Sequence, residues 1–386
     1  MQYAVLFVFH FVSFIMTGAS TFLSKYYGDI GMSPGQIGLL TSVPTLVSLA
    51  FMPLIGTWTD RVAHKKYLLA ALMACMAAMC FAVGRFRTFF PLIFLVCVYQ
   101  VFSMSSRPIS NTISLEYTDR IHRPYGPVRL LGTVGYQVGA LLVGWLLRDS
   151  LKGLYPFMGW SVVAALAVAF FLPNIEGHQH ASKQKVPMRR LFADRHIATL
   201  YVLIFLASIT TQFYMAFYSK YMGDIGFTNS QISVITLFSV MAELPFLMFA
   251  DRIAPKLTVW QWLLVGYVCN GIRWLGLAFA RSMWLIVLFQ IPGVTVLACF
   301  EFFTALYLNH RAAPEQSGLA QMMLSLTIFG AGNIVGSMIG GQIAEFVPTG
   351  TIFAFNGVML LVLAAAQLPV TIRMMREERA EGRSYL

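Results

Sequence analysis

Charge is what this sequence has least of. Only 11% of its residues are Asp, Glu, Lys or Arg, where a soluble domain needs about 25% to cover its surface. With 58% apolar residues and a mean hydropathy of +0.70, such a chain would precipitate in water. That excludes a soluble globular class and leaves a polytopic membrane protein. Cysteine is sparse as well. Cys75, Cys80, Cys97, Cys269 and Cys299 all lie in apolar runs without metal-ligand spacing, so neither a disulfide framework nor a metal centre is expected. No Gly-x-x-x-x-Gly-Lys-Ser/Thr stretch occurs, which gives no case for a built-in ATPase. A basic leader is missing too: only Met1 to Tyr3 precede the first apolar run, which is therefore expected to be a retained helix rather than a signal peptide.

What is present is a series of apolar runs long enough to span a bilayer at roughly 20 residues each. Twelve are expected, at approximately 4–26, 35–58, 67–84, 89–115, 128–147, 154–173, 197–221, 229–250, 259–280, 283–308, 317–346 and 350–373. The longest polar interval, 174–195, splits them into two sixes. The expected organisation is an N-terminal six-helix bundle (1–173), a cytoplasmic linker (174–195), a C-terminal six-helix bundle (196–373) and a cytoplasmic tail (374–386). His178 and His180 in the interval could bind metal, but the composition there reads as a solvated linker. The net charge of +11 could suggest nucleic acid. The basic residues instead sit in short segments between apolar runs, and with the N-terminus placed in the cytoplasm the inner segments hold most of them. Both termini are therefore expected inside.

Two stretches repeat. SKYYGDIGMSPGQIG (Ser24 to Gly38) returns as SKYMGDIGFTNSQIS (Ser219 to Ser233), 195 positions on. Asp60-Arg61 ends the second run and Asp251-Arg252 the eighth. Gly135, Gly139 and Gly144 space the fifth run as Gly332, Gly336 and Gly340 space the eleventh. Six is even, so the halves are parallel repeats entering the membrane with the same polarity, an architecture that encloses a cavity at the midplane. The glycines permit close helix approach. Asp60, Arg61, Asp251 and Arg252 read either as latches of an inner gate or as loops that only set orientation.

The Gly56–Asp60-Arg61–Lys65-Lys66 pattern, the YGPVRLLGTVGY crossing (Tyr125 to Tyr136), AELP (Ala242 to Pro245) and IRWLGLAFA (Ile272 to Ala280) resemble the major facilitator superfamily over essentially the whole chain. Within it they resemble the branch containing lactose permease, nucleoside–proton symporters and the phenylpropionate permease. The resemblance implies an all-α membrane protein of twelve transmembrane helices in two pseudo-symmetric six-helix bundles. It places Arg129 on the fifth-helix arginine that binds substrate, Tyr136 on an aromatic residue that stacks on sugar, and Arg273 on the ninth-helix arginine of the proton-coupling network. Asn111 stands where the sugar permeases carry a carboxylate, and Pro292 stands near the place of their tenth-helix histidine; both departures argue against a galactoside substrate.

Ionised side chains at the bilayer centre cost at least ~2.5–3.5 kcal/mol and mark functional sites unless they pair. Glu301 reads as a proton carrier or as a structural partner of Arg273. Glu243 reads as part of the coupling network or of an inner latch. Arg107, with Asn111 nearby, reads as a substrate contact, or as bonded to Ser103, Ser106 or Glu116. His10 reads as a titrating cavity residue or as one held by a neighbouring helix. Gln212 and Tyr214 read as substrate contacts or as packing. The expected function is a secondary active transporter of a small polar organic solute (sugar, nucleoside or aromatic carboxylate), working by proton symport as a monomer in a bacterial inner membrane. A proton-antiport exporter and a non-transporting receptor or scaffold are the alternatives. No cofactor is implied beyond the coupling proton, and the lipid bilayer is the expected partner.

Overall fold

The computed structural model describes residues 2–62, 64–174, 192–312 and 316–380. Among them there is no strand. Twelve helices succeed one another: α1 (Gln2–Asp29), α2 (Pro34–Arg61), α3 (Lys65–Val83), α4 (Phe89–Arg120), α5 (Gly126–Leu146), α6 (Leu151–Ala169), α7 (Arg195–Asp224), α8 (Asn229–Ile253), α9 (Val259–Phe279), α10 (Met283–Arg311), α11 (Leu319–Ile343) and α12 (Thr349–Ala380). Among the described residues ten spans are long and apolar enough to cross a membrane, and α5 falls outside that set because it is diluted by glycine and carries Arg129 and Gln137. Most of the linker and its two histidines lie outside the described residues.

The repeated stretch builds the same turn twice. Gly31 (φ 90°) and Gly226 (φ 96°) both occupy the left-handed region, which costs an L-residue roughly 1–2 kcal/mol. The Gly31 N–H donates to the Gly28 carbonyl and the Gly226 N–H to the Gly223 carbonyl, each at 3.0 Å. A capping box comes next in each copy. Ser33 Oγ accepts from the Gln36 N–H while Gln36 Oε1 accepts from the Ser33 N–H; Thr228 and Gln231 repeat the arrangement. Such caps contribute about 1 kcal/mol each.

Two compact units emerge, one of Met1–Ser182 with Tyr218–Val234, the other of Lys183–Phe217 with Ile235–Leu386. The last turns of α7 and the first of α8 thus belong to the first unit. In that unit α1 and α5 touch backbone to backbone: a Cβ on Gly135, Gly139 or Gly18 would collide with the carbonyl of Phe11, Ile15 or Tyr136 respectively. In the second unit a Cβ on Gly336 would strike the Ile209 carbonyl, and one on Gly332 the Ser208 hydroxyl, which locks α11 onto α7.

Ionic contacts tie helix ends together. Lys65 is buried and bonds Glu116 at 2.6 Å, joining the start of α3 to the end of α4. Asp194 caps α7, accepting from the His196 N–H at 2.8 Å, and receives Arg311 Nε at 2.8 Å. Partial burial works to raise the Asp194 carboxyl, but the Arg311 hydrogen bond and charge and the two backbone donors outweigh it. Together they hold it below the ordinary carboxylate range. Glu378 is buried and accepts from Trp260 Nε1 (3.0 Å) and the Tyr307 hydroxyl (2.6 Å), so α12 packs against α9 and α10 almost to its end.

Pro292 shapes α10. A proline removes a donor from the helical ladder, and the chain passes through a 3₁₀ turn at Ile291–Gly293 and then a π-helical stretch at Val296–Phe302, which carries Glu301. α11 contains two more π stretches, Leu326–Ala331 and Ile334–Ile339.

Candidate functional site

In the first unit, α1, α4 and α5 gather the polar side chains. Arg107 on α4 is solvent-accessible, although protein atoms crowd it on most sides, as on the wall of a cleft. Its Nη2 lies 3.4 Å from Thr17 Oγ1. Ser13, Thr17, Ser103, Ser106 and Ser110 line the same cleft. Among the described residues no hydrogen bond joins Arg107 to Ser106 or Glu116; Ser106 donates to the Phe102 carbonyl and Glu116 bonds Lys65. Arg129 on α5 lies with its guanidinium 4.7 Å above the Phe14 ring and within electrostatic reach of Arg107. No carboxylate pairs with either arginine among the described residues. Asn111 accepts from the Tyr125 hydroxyl at 3.3 Å, and Tyr136 shares a hydrogen bond with Thr21 at 2.8 Å.

His10 is fully buried, with Nε2 2.8 Å from Ser114 Oγ. Ser114 spends its own proton on the Ser110 carbonyl, so the imidazole carries hydrogen on Nε2. Its Nδ1 is then a buried acceptor without a partner among the described residues.

The second unit centres on Arg273. Sequence reasoning offers it a carboxylate; the structure gives it an amide. Its Nε and Nη2 both donate to Gln290 Oε1, the former at 2.9 Å, and Gln290 Nε2 in turn donates to the Tyr214 hydroxyl at 3.0 Å. The guanidinium lies 4.5 Å from the Tyr214 ring centre and 4.6 Å from that of Trp274. Gly293 makes room for it, since a Cβ there would sit 2.8 Å from Arg273 Cζ. Gln290 carried a signal in the sequence, a lone amide at the end of an apolar run two residues before Pro292. Its pairing with Arg273 depends on the register of α9 against α10. Asn270 is a second residue of this kind: buried, it donates to Thr295 Oγ1 at 2.9 Å and leaves its Oδ1 without a partner among the described residues.

Glu243 and Glu301 are half-buried and within electrostatic reach of each other. Glu243 also feels Arg273. Neither makes a hydrogen bond or ion pair among the described residues. Gln212 and Tyr214 diverge: Tyr214 faces Arg273, whereas the Gln212 Cβ lies against Gly336 of α11. Positions i and i+2 of a helix do not share a face. The side chains of Asp60, Arg61 and Asp251 lie outside the described residues, and Arg252 is exposed.

The model of the MFS_1 like family matches residues 3–356 of this chain. Maltose permease of Geobacillus stearothermophilus is 27% identical over 97% of this chain and 95% of its own length. A putative nucleoside transporter of Escherichia coli K12, YegT, is 24% identical over 82% of this chain and 78% of its own. Among solved structures, the nucleoside transporter NupG superposes with a TM-score of 0.82 at 18% identity, covering 95% of this chain and 98% of that one.

Proposed function

Since the chain belongs to the MFS_1 like family, and is a membrane transporter rather than an enzyme, we propose that it carries a small polar organic solute by proton symport through alternating access. The observation that carries the coupling is the state of Glu243 and Glu301. Two carboxylates lie in membrane helices near each other, and Arg273, buried in the same unit, has spent its fork on Gln290. A carboxylate in the membrane without a bonded partner is costly while ionised, and it is free to exchange a proton with water admitted to a cleft. Arg273, clamped between rings, then supplies a fixed positive field against which Glu243 loads and unloads.

Substrate recognition is assigned to Arg107, Asn111, Arg129 and Tyr136. Two guanidiniums without a carboxylate partner, beside a row of hydroxyls, suit a solute carrying a carboxylate or a dense set of oxygen acceptors. The named cargoes of the relatives, maltose, nucleosides and 3-phenylpropionic acid, span that range. The distribution of lysine and arginine supports cytoplasmic termini in a bacterial inner membrane. Uptake into proteoliposomes is the test. Accumulation driven by an inward proton gradient is expected for at least one sugar, nucleoside or aromatic acid. Stimulation only by the reverse gradient would make the protein an exporter, and no flux for any solute would favour a receptor.

A further inference from the structure

A second cavity lies away from these polar side chains, within the second unit, between α7, α11 and α12. It encloses about 390 Å³, within the range of small-molecule sites. Ile209, Phe213, Val335, Ile343, Ile352 and Met359 supply its walls. Along α12 it runs from Thr351 to Met359, about 12 Å at 1.5 Å per residue. Gly336 and Gly340 leave it open on the α11 side, in and just after the π stretch Ile334–Ile339, and π turns frequently mark functional positions.

One polar group interrupts the apolar lining. Asn356 is 6% exposed and lines the cavity, and its amide makes no hydrogen bond among the described residues. The amide opens onto the cavity rather than into packed protein, so a group that enters the cavity can bond it. A water is a poor occupant, because an ordered one wants two to four polar partners and among the described residues the only other polar side chain in the lining is Thr351. The rim residues Ile339, Ile343 and Phe355 are exposed, and in a membrane-spanning chain such a rim meets lipid. No charged residue lines the cavity among the described residues, which disfavours an ionised ligand.

We infer, independently of the transport mechanism, that this cavity binds a neutral amphiphile from the bilayer: an apolar chain or ring along α12, with one hydroxyl or carbonyl on the Asn356 amide.

The probe is a diazirine-bearing octanol, photolysed with the purified protein in proteoliposomes and mapped by peptide mass spectrometry. Label is expected to concentrate on residues 335–359. It should fall severalfold with excess plain octanol, and likewise in Asn356→Leu and in the cavity-filling Ile339→Trp. Should Asn356→Leu fail to fold, competition by octanol in the parent protein decides. Label spread evenly over the lipid-facing helices, or label at 335–359 that octanol does not displace, would overturn the inference.

Discussion

Ser24 and Ser219 occupy equivalent places in the two copies of the repeat, and their hydroxyls lie 2.8 Å apart. The contact is reciprocal. The Lys25 N–H donates to Ser219 Oγ and the Lys220 N–H to Ser24 Oγ, both at 3.3 Å. Lys25 Nζ reaches Asn229, which donates to the Leu147 carbonyl at 2.8 Å, and Ser230 donates to the Gly144 carbonyl at 2.6 Å. Within the first unit the duplicated segment therefore meets its own copy across a local twofold, the self-complementary logic of an isologous interface.

In a background without the native cysteines, Ser24→Cys with Ser219→Cys should cross-link under mild oxidant or a short bifunctional maleimide. The bridged protein should lose uptake and regain it when a disulfide is reduced. Absence of cross-linking, read by gel shift after cleavage within residues 175–191, would contradict the contact.

The repeat was readable in the residues because turn chemistry is local. Gly31 and Gly226 need a left-handed backbone, and Ser33/Gln36 and Thr228/Gln231 cap α2 and α8; no long-range fact is required. That α5 takes part in a close seam was readable from its glycines at 135 and 139; that α1 is the helix it meets was not. Partner choice was not readable. Lys65 stood in the sequence only as part of a basic loop pattern, yet it is buried against Glu116, which the sequence offered to Arg107. Gln290 took the place expected for a carboxylate beside Arg273. Each depends on helix register, to which apolar runs are indifferent, because nearly every position in them is hydrophobic whichever way it faces.

Gly139→Val should destabilise the first unit by about 1–3 kcal/mol or more, since the new side chain overlaps the Ile15 carbonyl. Gly126→Ala is the matched control: nothing lies within 4 Å of its Cβ position, and its φ is ordinary. Thermal unfolding in detergent should separate the two clearly; equal melting temperatures would remove the backbone seam.

Asp194→Asn should lower the melting temperature at neutral pH by removing the charge that Arg311 and the start of α7 bind. The Asp194 carboxyl is held below its ordinary value in the folded state. Its contribution is therefore present above the unfolded carboxylate value, about 3.9, and is lost as pH falls through the folded one. The gap between parent and variant should narrow in acid. A gap that widens toward low pH would contradict the assignment.

Arg129→Ala should abolish uptake while leaving the melting temperature near that of the parent, because its described contact is a ring face and not a buried pair. Arg129→Lys should recover little, since a point charge does not reproduce a planar fork. Near-normal uptake by Arg129→Ala would take this residue out of the site.

The central claim is that Glu301, together with Glu243, exchanges the coupling proton. The direct measurement is substrate-driven proton influx into proteoliposomes loaded with a pH-sensitive dye, set beside counterflow of labelled substrate. The account predicts influx in the parent, and in Glu301→Gln loss of influx with counterflow retained. Undiminished proton influx in both Glu301→Gln and Glu243→Gln would contradict it.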